Sequence, residues 1–499
     1  MLARMFFVSK NRRWWFFAGV AIVGIYVLLL IPEREPPKIP IAAKTPFAWN
    51  RDEVWRDLEA QFREARELSA AGRVAGFTEK LEQFQNALTK LTSTNLPPSA
   101  PEFDAVEMLF FRLAVLAAVT PERAQEFQQA ALQFASAART QARSWPTDSI
   151  EARQRIYRLL FGRRAALEEV MLQNERGFTA VEYADVIPVS SAPDAELHGV
   201  RIHSGDILVS RGGAATSALI ARGNDFQGNF SHVALVYVDE QTKAVSIIES
   251  RIENGVSVRP IEEYLADTKL RILVLRLRND LPAMQTNPML PHRAASIARS
   301  NALARHIPYD FAMEHAEPTK QFCSEVVSGA YESQGIRLWS GLSRISSPGL
   351  ARWLALLGVR NFESQQPSDL EYDPQLEFVA EWRNPETLLK DHLDNAVVDA
   401  LLESAERGAE LNFNRWLLPP MRVLKGACWM LNRGGVVGPI PEGMSATTAL
   451  RVNRFKARHA AAVEKLTVAV EEFRKQNGYV PPYWELLSMA RVAIEEPNP

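Results

Sequence analysis

The sequence predicts an α+β protein: a small antiparallel sheet between helical N- and C-terminal regions, preceded by one transmembrane helix. Three observations predict it. Residues 231–238 and 244–250 are apolar, β-rich runs separated by the polar stretch 239–243, and residues 270–277 set basic Arg271 and Arg276 into an apolar run; all three read as strands. Residues 48–175 and 376–499 instead repeat apolar residues at helical spacing. Residues 14–31 carry no charge at all.

Composition narrows the classes. A chain of 499 residues has room for about three domains, and 47% hydrophobic with 23% charged residues is the balance of a folded globular chain. A net charge of −2 gives no reason to expect a nucleic-acid partner. The two cysteines, Cys323 and Cys428, exclude a disulfide framework and a cysteine-based metal cluster. The histidines have no H-x-x-x-H spacing. No metal or cofactor is expected.

From the N-terminus, the first unit is residues 1–47. The 18 uncharged residues 14–31, ended by Pro32, are just enough to span a bilayer. The run exceeds the apolar core of a cleaved signal peptide, about 7–15 residues, and has no small-residue cleavage site close behind it. An uncleaved anchor is therefore expected, with Trp14 and Trp15 at the interface. Arg4, Lys10, Arg12 and Arg13 favour a cytoplasmic tail, although Arg34, Lys38 and Lys44 weaken the bias. That orientation makes a single-pass protein of a bacterial inner membrane, with its body in the periplasm or outside. Pro32, Pro36, Pro37, Pro40 and Pro46 form a stiff spacer.

Residues 48–176 are expected to form an antiparallel helical bundle. Trp55, Leu58, Phe62, Ala65 and Leu68 share one helix face, as do Phe77, Leu81, Phe84, Leu88 and Leu91. Pro121 marks a helix start, and the segments around Pro97-Pro98 and Pro146 are loops. The bundle is expected to act as a spacer or packing domain, with a surface open to a protein partner. Residues 177–365 hold the sheet, and residues 366–499 return to helices, notably 385–407 and 445–476. The aromatic turn at 478–484 is assigned no role.

The chemistry concentrates in the sheet domain. Facing residues of a hairpin have numbers of constant sum. A turn centred between Glu240 and Gln241 sets that sum at 481, which pairs His232 directly with Glu249. A turn one residue further along sets 483 and leaves Glu249 a diagonal neighbour on the same face. Either way the carboxylate can fix the imidazole tautomer and stabilise its charged form. Cys323 opens a helix predicted over residues 324–334 and stopped by Gly335. A thiol there meets the positive end of the helix dipole, and the unpaired N–H groups of the first turn can hold an oxyanion. A thiol, an imidazole and a carboxylate suffice for nucleophilic attack on an acyl group.

Glu253 and Glu325 are rivals for the carboxylate role. Glu253 lies in the turn after the strand, and the dipole alone favours Glu325 in the first helical turn. His203, His292, His306 and His315 have no matching partner pattern. Asp206 is read as structural, and Cys428, beside Trp429 and Met430, as core packing.

Gly205-Asp206-Ile207-Leu208, Ser231-His232-Val233, the Glu249 strand, Tyr309-Asp310 and Phe322-Cys323-Ser324-Glu325 occur in one order. Over roughly residues 199–350 this set resembles the circularly permuted NlpC-type cysteine hydrolases, the YiiX-like branch of papain-like amidases. In the permuted branch, as here, the histidine precedes the cysteine. The resemblance implies a cysteine amidase or peptidase with Cys323 as nucleophile, His232 as base and then acid, and Glu249 as orienting carboxylate. It also implies that Tyr309 and Ser231 line the substrate site, Tyr309 helping the Cys323 N–H to hold the oxyanion. A cell-wall peptide, another peptide and an N-acyl lipid all fit as substrate. Two other classes compete: a lipid-directed thiol acyltransferase, which differs in the group that resolves the thioester, and a non-catalytic binding module on the same fold.

Overall fold

The computed structural model describes residues 3–33, 45–174, 177–314, 317, 319–383, 385–433 and 436–495, without the side chains of 3–13, 385 and 433. His315 and most of the proline-rich spacer, residues 34–44, lie outside this description.

Seven antiparallel strands form the central sheet, in the order Val181–Tyr183, Leu376–Arg383, Lys269–Leu277, Ile207–Gly212, His232–Val238, Val245–Arg251 and Gly255–Pro260. The helical spacing expected from residue 376 therefore begins later. Residues 376–383 are a strand, and the sheet runs past the expected boundary at 365. A bulge between Phe378 and Ala380 breaks the alternation of that strand and hides its period.

The two faces of the sheet enter different cores. Val209, Val233, Leu235, Ile248 and Leu275 share one with Val326 and Val327 of the helix Cys323–Glu332. Leu208, Ala234, Val236, Ile247 and Val274 pack on the other side with Ile202 and Tyr264. His232 and Glu249 lie on the same face as this second set, two residues from Ala234 and from Ile247. His232, however, is the first residue of its strand and Cys323 the first of its helix, so the two groups meet at the rim of the sheet.

Before the sheet come the helices Asp52–Glu67, Ala70–Thr92, Glu102–Ala118, Ala124–Ala142 and Ile150–Gln173. Ser69 and Ser149 cap two of the helices by accepting from Gly72 N and Ala152 N, at 3.2 and 3.0 Å. Phe84, Phe110, Phe127 and Phe134 pack ring against ring between them. This core is continuous with one face of the sheet. The helix Ile150–Gln173 also lays buried charges on the sheet: Arg164 bonds Glu381 at 2.6 Å and Glu371 at 2.5 Å, and Glu168 receives Arg271 at 2.5 Å. Removing one partner of such a pair costs about 3–5 kcal/mol. These pairs tie the bundle to the sheet.

Four further helices follow, Pro385–Glu406, Leu418–Arg433, Ala446–Asn477 and Tyr483–Glu495. The aromatic turn at 478–484 fastens them to the bundle. Tyr479 and Trp484 both donate to Glu59, at 3.2 and 2.9 Å, and Trp484 stacks on Trp55.

The N-terminal helix is Ala3–Leu29, and its side chains from Trp14 to Leu28 are exposed apart from a half-buried Ala18. Among the described residues no helix is long and apolar enough to cross a membrane. The described apolar stretch, 14–29, rises about 24 Å, short of a hydrocarbon core of about 30 Å.

Candidate active site

The hairpin that carries the imidazole adopts the second of the two registers. Leu235 faces Ile248 and Val238 faces Val245, a sum of 483. The direct pairing of His232 with Glu249, at 481, does not form. The cause lies in the turn. Asp239 Oδ1 accepts from Gln241 N and Thr242 N at 3.1 and 2.9 Å, and Lys243 turns left-handed at φ 60°. This widens the loop and moves its centre one residue along. Glu249 becomes a diagonal neighbour on the same face, and its Oε2 lies 2.6 Å from His232 Nε2.

Cys323 is placed by the helix Cys323–Glu332, which starts at Cys323 and ends before Gly335, at φ +80°. Glu325, three residues past the cap position, reaches back to accept from Phe322 N at 3.1 Å. It is a helix cap, not the partner of the imidazole. The loop leading in is tied from several sides. Asp310 accepts from Ala312 N and Glu314 N at 3.0 and 2.5 Å, and Ser250 Oγ donates to Gln321 O at 2.6 Å. Val256 N donates to Ile307 O at 2.9 Å. Gly255 is required at that contact: its φ is +72°, and a Cβ would stand 2.1 Å from Ile307 O. The strand bearing Glu249 and the loop bearing Cys323 and Tyr309 are thereby held together.

His232 joins the two halves. Its Nε2 is taken by Glu249, and the neighbouring Cys323 side chain also favours the protonated imidazole. Burial pulls the imidazole down, but the bonds to Cys323 and Glu249 outweigh it and raise it to about 9. Burial pushes the Glu249 carboxyl up, while the bond to His232, its charge and that of Arg259 bring it down to about 2. Burial raises the Tyr309 phenol well above its ordinary range, with the neighbouring Cys323 adding to the effect, so it keeps its proton as a donor.

Sequence reasoning missed Arg259. It grips Glu249 Oε1 with Nε, at 2.8 Å, and with Nη2, and it bonds Asp267 at 2.9 Å. Glu249 faces Ser257 in the next strand pair, so Arg259 is its diagonal neighbour. A hairpin sum applied across Gly255 would have found it. Glu253 lies 3.7 Å from Arg251 and is not joined to His232. Asp206 accepts Arg276 at 2.8 and 2.7 Å and His203 N at 2.7 Å, a structural knot. Cys428 is buried with Ile440, Met444 and Ala449, and both cysteines are free thiols.

Cys323, Ser231 and Tyr309 line one cavity of about 610 Å³. Ser231 Oγ is a weak donor to Ser210 O at 3.5 Å and lies at the cavity wall. Much of the remaining wall is apolar, and part of it comes from the C-terminal region through Met421, Leu424, Ile440 and Met444. That contribution was not foreseen, because those residues carry no motif. A second cavity, about 390 Å³ between the bundle and the C-terminal helices, has no cysteine in its lining.

A thiol beside a paired imidazole, at the wall of a cavity, is a layout for acyl chemistry. No curated protein and no solved structure matches this chain. Residues 201–380, which span the strand of His232, that of Glu249 and the helix of Cys323, match the family model of the permuted papain-like amidase enzymes, YaeF/YiiX, C92 family.

Proposed function

We propose that the chain is a membrane-held cysteine hydrolase that cleaves an amide bond through a thioacyl intermediate. The observation that carries the reading is the imidazole of His232, bonded to Glu249 at 2.6 Å and neighbouring Cys323, which lines a cavity. His232 draws the proton from Cys323, and the sulfur attacks the carbonyl carbon. The oxyanion is held by the Cys323 N–H and the Tyr309 hydroxyl. His232 then gives its proton to the leaving nitrogen as the C–N bond breaks. Water, deprotonated by His232, attacks the thioester and releases the acid. Glu249 keeps the imidazole oriented and balances its charge throughout, and Ser231 lines the substrate side of the cavity.

Membrane attachment belongs to the same reading. It is supported by the charge-free residues 14–31 and by their exposure: an apolar helix with nothing over it is stable in lipid. The basic residues before it orient the body toward the periplasm or exterior. A compartment-sensitive reporter fused to the C-terminus tests this. Activity on the cytoplasmic side would reverse the topology.

The chemical reading is tested by mixing the protein with acyl amides and quenching in acid. Intact mass spectrometry should find an acyl adduct on Cys323. The adduct should vanish in Cys323→Ser and fall sharply in His232→Ala. Turnover that survives Cys323→Ser would overturn the reading.

A further inference from the structure

The cavity of about 390 Å³ shares no lining residue with that of Cys323. It lies where the helices Asp52–Glu67 and Ile150–Gln173 meet Pro385–Glu406 and Tyr483–Glu495. Its volume falls in the range of small-molecule sites, about 300–1,000 Å³. Trp49, Trp55, Phe161 and Trp484 give it aromatic walls, and all four are half-buried. Trp49 stands edge-on to Trp55 at 5.9 Å, and Trp55 stacks on Trp484 at 6.1 Å. Rings arranged in this way offer electron-rich faces to a cation.

Most acids in the wall already have cations. Asp399 takes Arg222 at 2.8 and 2.6 Å, Glu168 takes Arg271 and Arg383, and Glu59 takes Arg63. Asp52 is exposed to water. Glu169 is left. Its Oε1 accepts from Tyr483 N at 2.9 Å, and among the described residues no cation pairs with it. Burial raises its carboxyl above the ordinary value, a cost to the ionised form that an incoming cation relieves. Two polar atoms of the same wall also lack partners. Asn395 is 3% and His392 6% exposed. Asn395 Nδ2 donates to Asp391 Oδ1 at 3.2 Å, and His392 Nε2 meets Glu168 Oε2 at 3.1 Å. Among the described residues, Asn395 Oδ1 and His392 Nδ1 are bonded to nothing. Buried groups left this way cost free energy until something bonds them. The two residues are three positions apart on one helix, hence on one face of it, and both line the cavity.

We propose that this cavity is a second ligand site, which takes a small protonated organic amine with an aromatic or alkyl body. The ammonium pairs with the Glu169 carboxylate and donates to Asn395 Oδ1, and the body lies among the rings. A hydroxyl close to the nitrogen serves His392 Nδ1 whether or not that atom carries a proton. An anion does not suit the wall. Five acids line it against Arg222 and His392, and each of those two already faces an acid. A wholly apolar molecule does not suit it either, because the unpartnered atoms of Asn395 and His392 would stay unmet. The site is independent of the chemistry at Cys323.

The experiment uses the full chain in dodecyl maltoside micelles, with isothermal titration calorimetry corrected for empty micelles. The probe is phenylalaninol. Two analogues replace its amine or add the opposite charge: 3-phenylpropane-1,2-diol is neutral, and phenyllactate is an anion. The parent should bind phenylalaninol at one site, and the diol and the acid at least about tenfold more weakly. Glu169→Gln keeps an acceptor for Tyr483 N and removes the charge. It should weaken phenylalaninol by at least about tenfold and leave the diol within about twofold. Ala166→Phe fills the cavity from its wall. It should abolish phenylalaninol binding while circular dichroism and iodoacetamide labelling of Cys323 match the parent, and it carries the test alone if the Glu169 variant does not fold. No binding of the amine by the parent leaves water as the occupant and overturns the inference. So does equal binding of amine, diol and acid. Amine binding that survives either substitution in a folded variant places the amine elsewhere and likewise overturns it.

Discussion

Replacing Glu249 by Gln tests the electrostatics of the site in one step. The carboxyl is 1% exposed and is held at about 2 against an ordinary 4.5. A shift of that size corresponds to about 3 kcal/mol of stability. The sign follows from the direction. A depressed carboxyl contributes fully above its unfolded value and loses the contribution as pH falls through about 2. His232, raised to about 9 from 6.5, contributes fully below its unfolded value and loses it as pH rises through about 9. The pair is worth most where both groups are charged in the unfolded chain, between about pH 5 and pH 6.5. Urea unfolding of parent and variant in detergent micelles, followed by tryptophan fluorescence, should therefore differ by about 3 kcal/mol near pH 6. The gap should shrink toward pH 3. It should shrink in part above pH 9, where only the contribution of Arg259 persists. A gap that is flat across this range, or below about 1 kcal/mol near pH 6, the size of an ordinary hydrogen bond, would refute the reasoning.

Arg259→Lys keeps the charge but loses the planar fork that holds Glu249 and Asp267 together. It should cost about 1.5–3 kcal/mol in the same unfolding assay, the range of a hydrogen bond to a charged group, and slow acylation less than His232→Ala does. Gly255→Ala places a Cβ against Ile307 O at a φ of +72°. Beyond the roughly 1–2 kcal/mol of left-handed strain, it should push away the loop bearing Tyr309 and slow acylation of Cys323 at a temperature where the fold persists, as circular dichroism can verify.

The helical bundle and the hairpin of His232 were legible because their periods are undisturbed, and the helix start at Cys323 because loop and helix signals meet there. What stayed hidden has physical causes. The side chain of Asp239 captures two backbone N–H groups and shifts the hairpin register by one residue on the turn. The bulge near Phe378 erases the alternation of the strand Leu376–Arg383. Arg259 becomes a partner of Glu249 only through a second strand pairing. Met421 and Leu424 join the cavity through packing across about a hundred residues of chain, for which no local pattern exists. Glu325 could be assigned only once its carboxylate was placed on Phe322 N.

The most direct measurement of the central claim is the alkylation of the two thiols by iodoacetamide near neutral pH. Both are buried, Cys323 at 6% and Cys428 at 0% exposure, so exposure alone predicts little difference, whereas a hydrogen-bonded imidazole beside only one of them predicts a large one. Cys323 should react faster than Cys428, and His232→Ala should slow it by at least about tenfold, one pKa unit of thiolate population. Glu249→Gln should slow it less, since it acts on the thiol only through His232, and Glu325→Gln should leave it nearly unchanged, since that carboxylate serves the helix cap. Equal rates for the two cysteines, unaltered by His232→Ala, would contradict an activated thiol at Cys323 and favour a binding module on this fold.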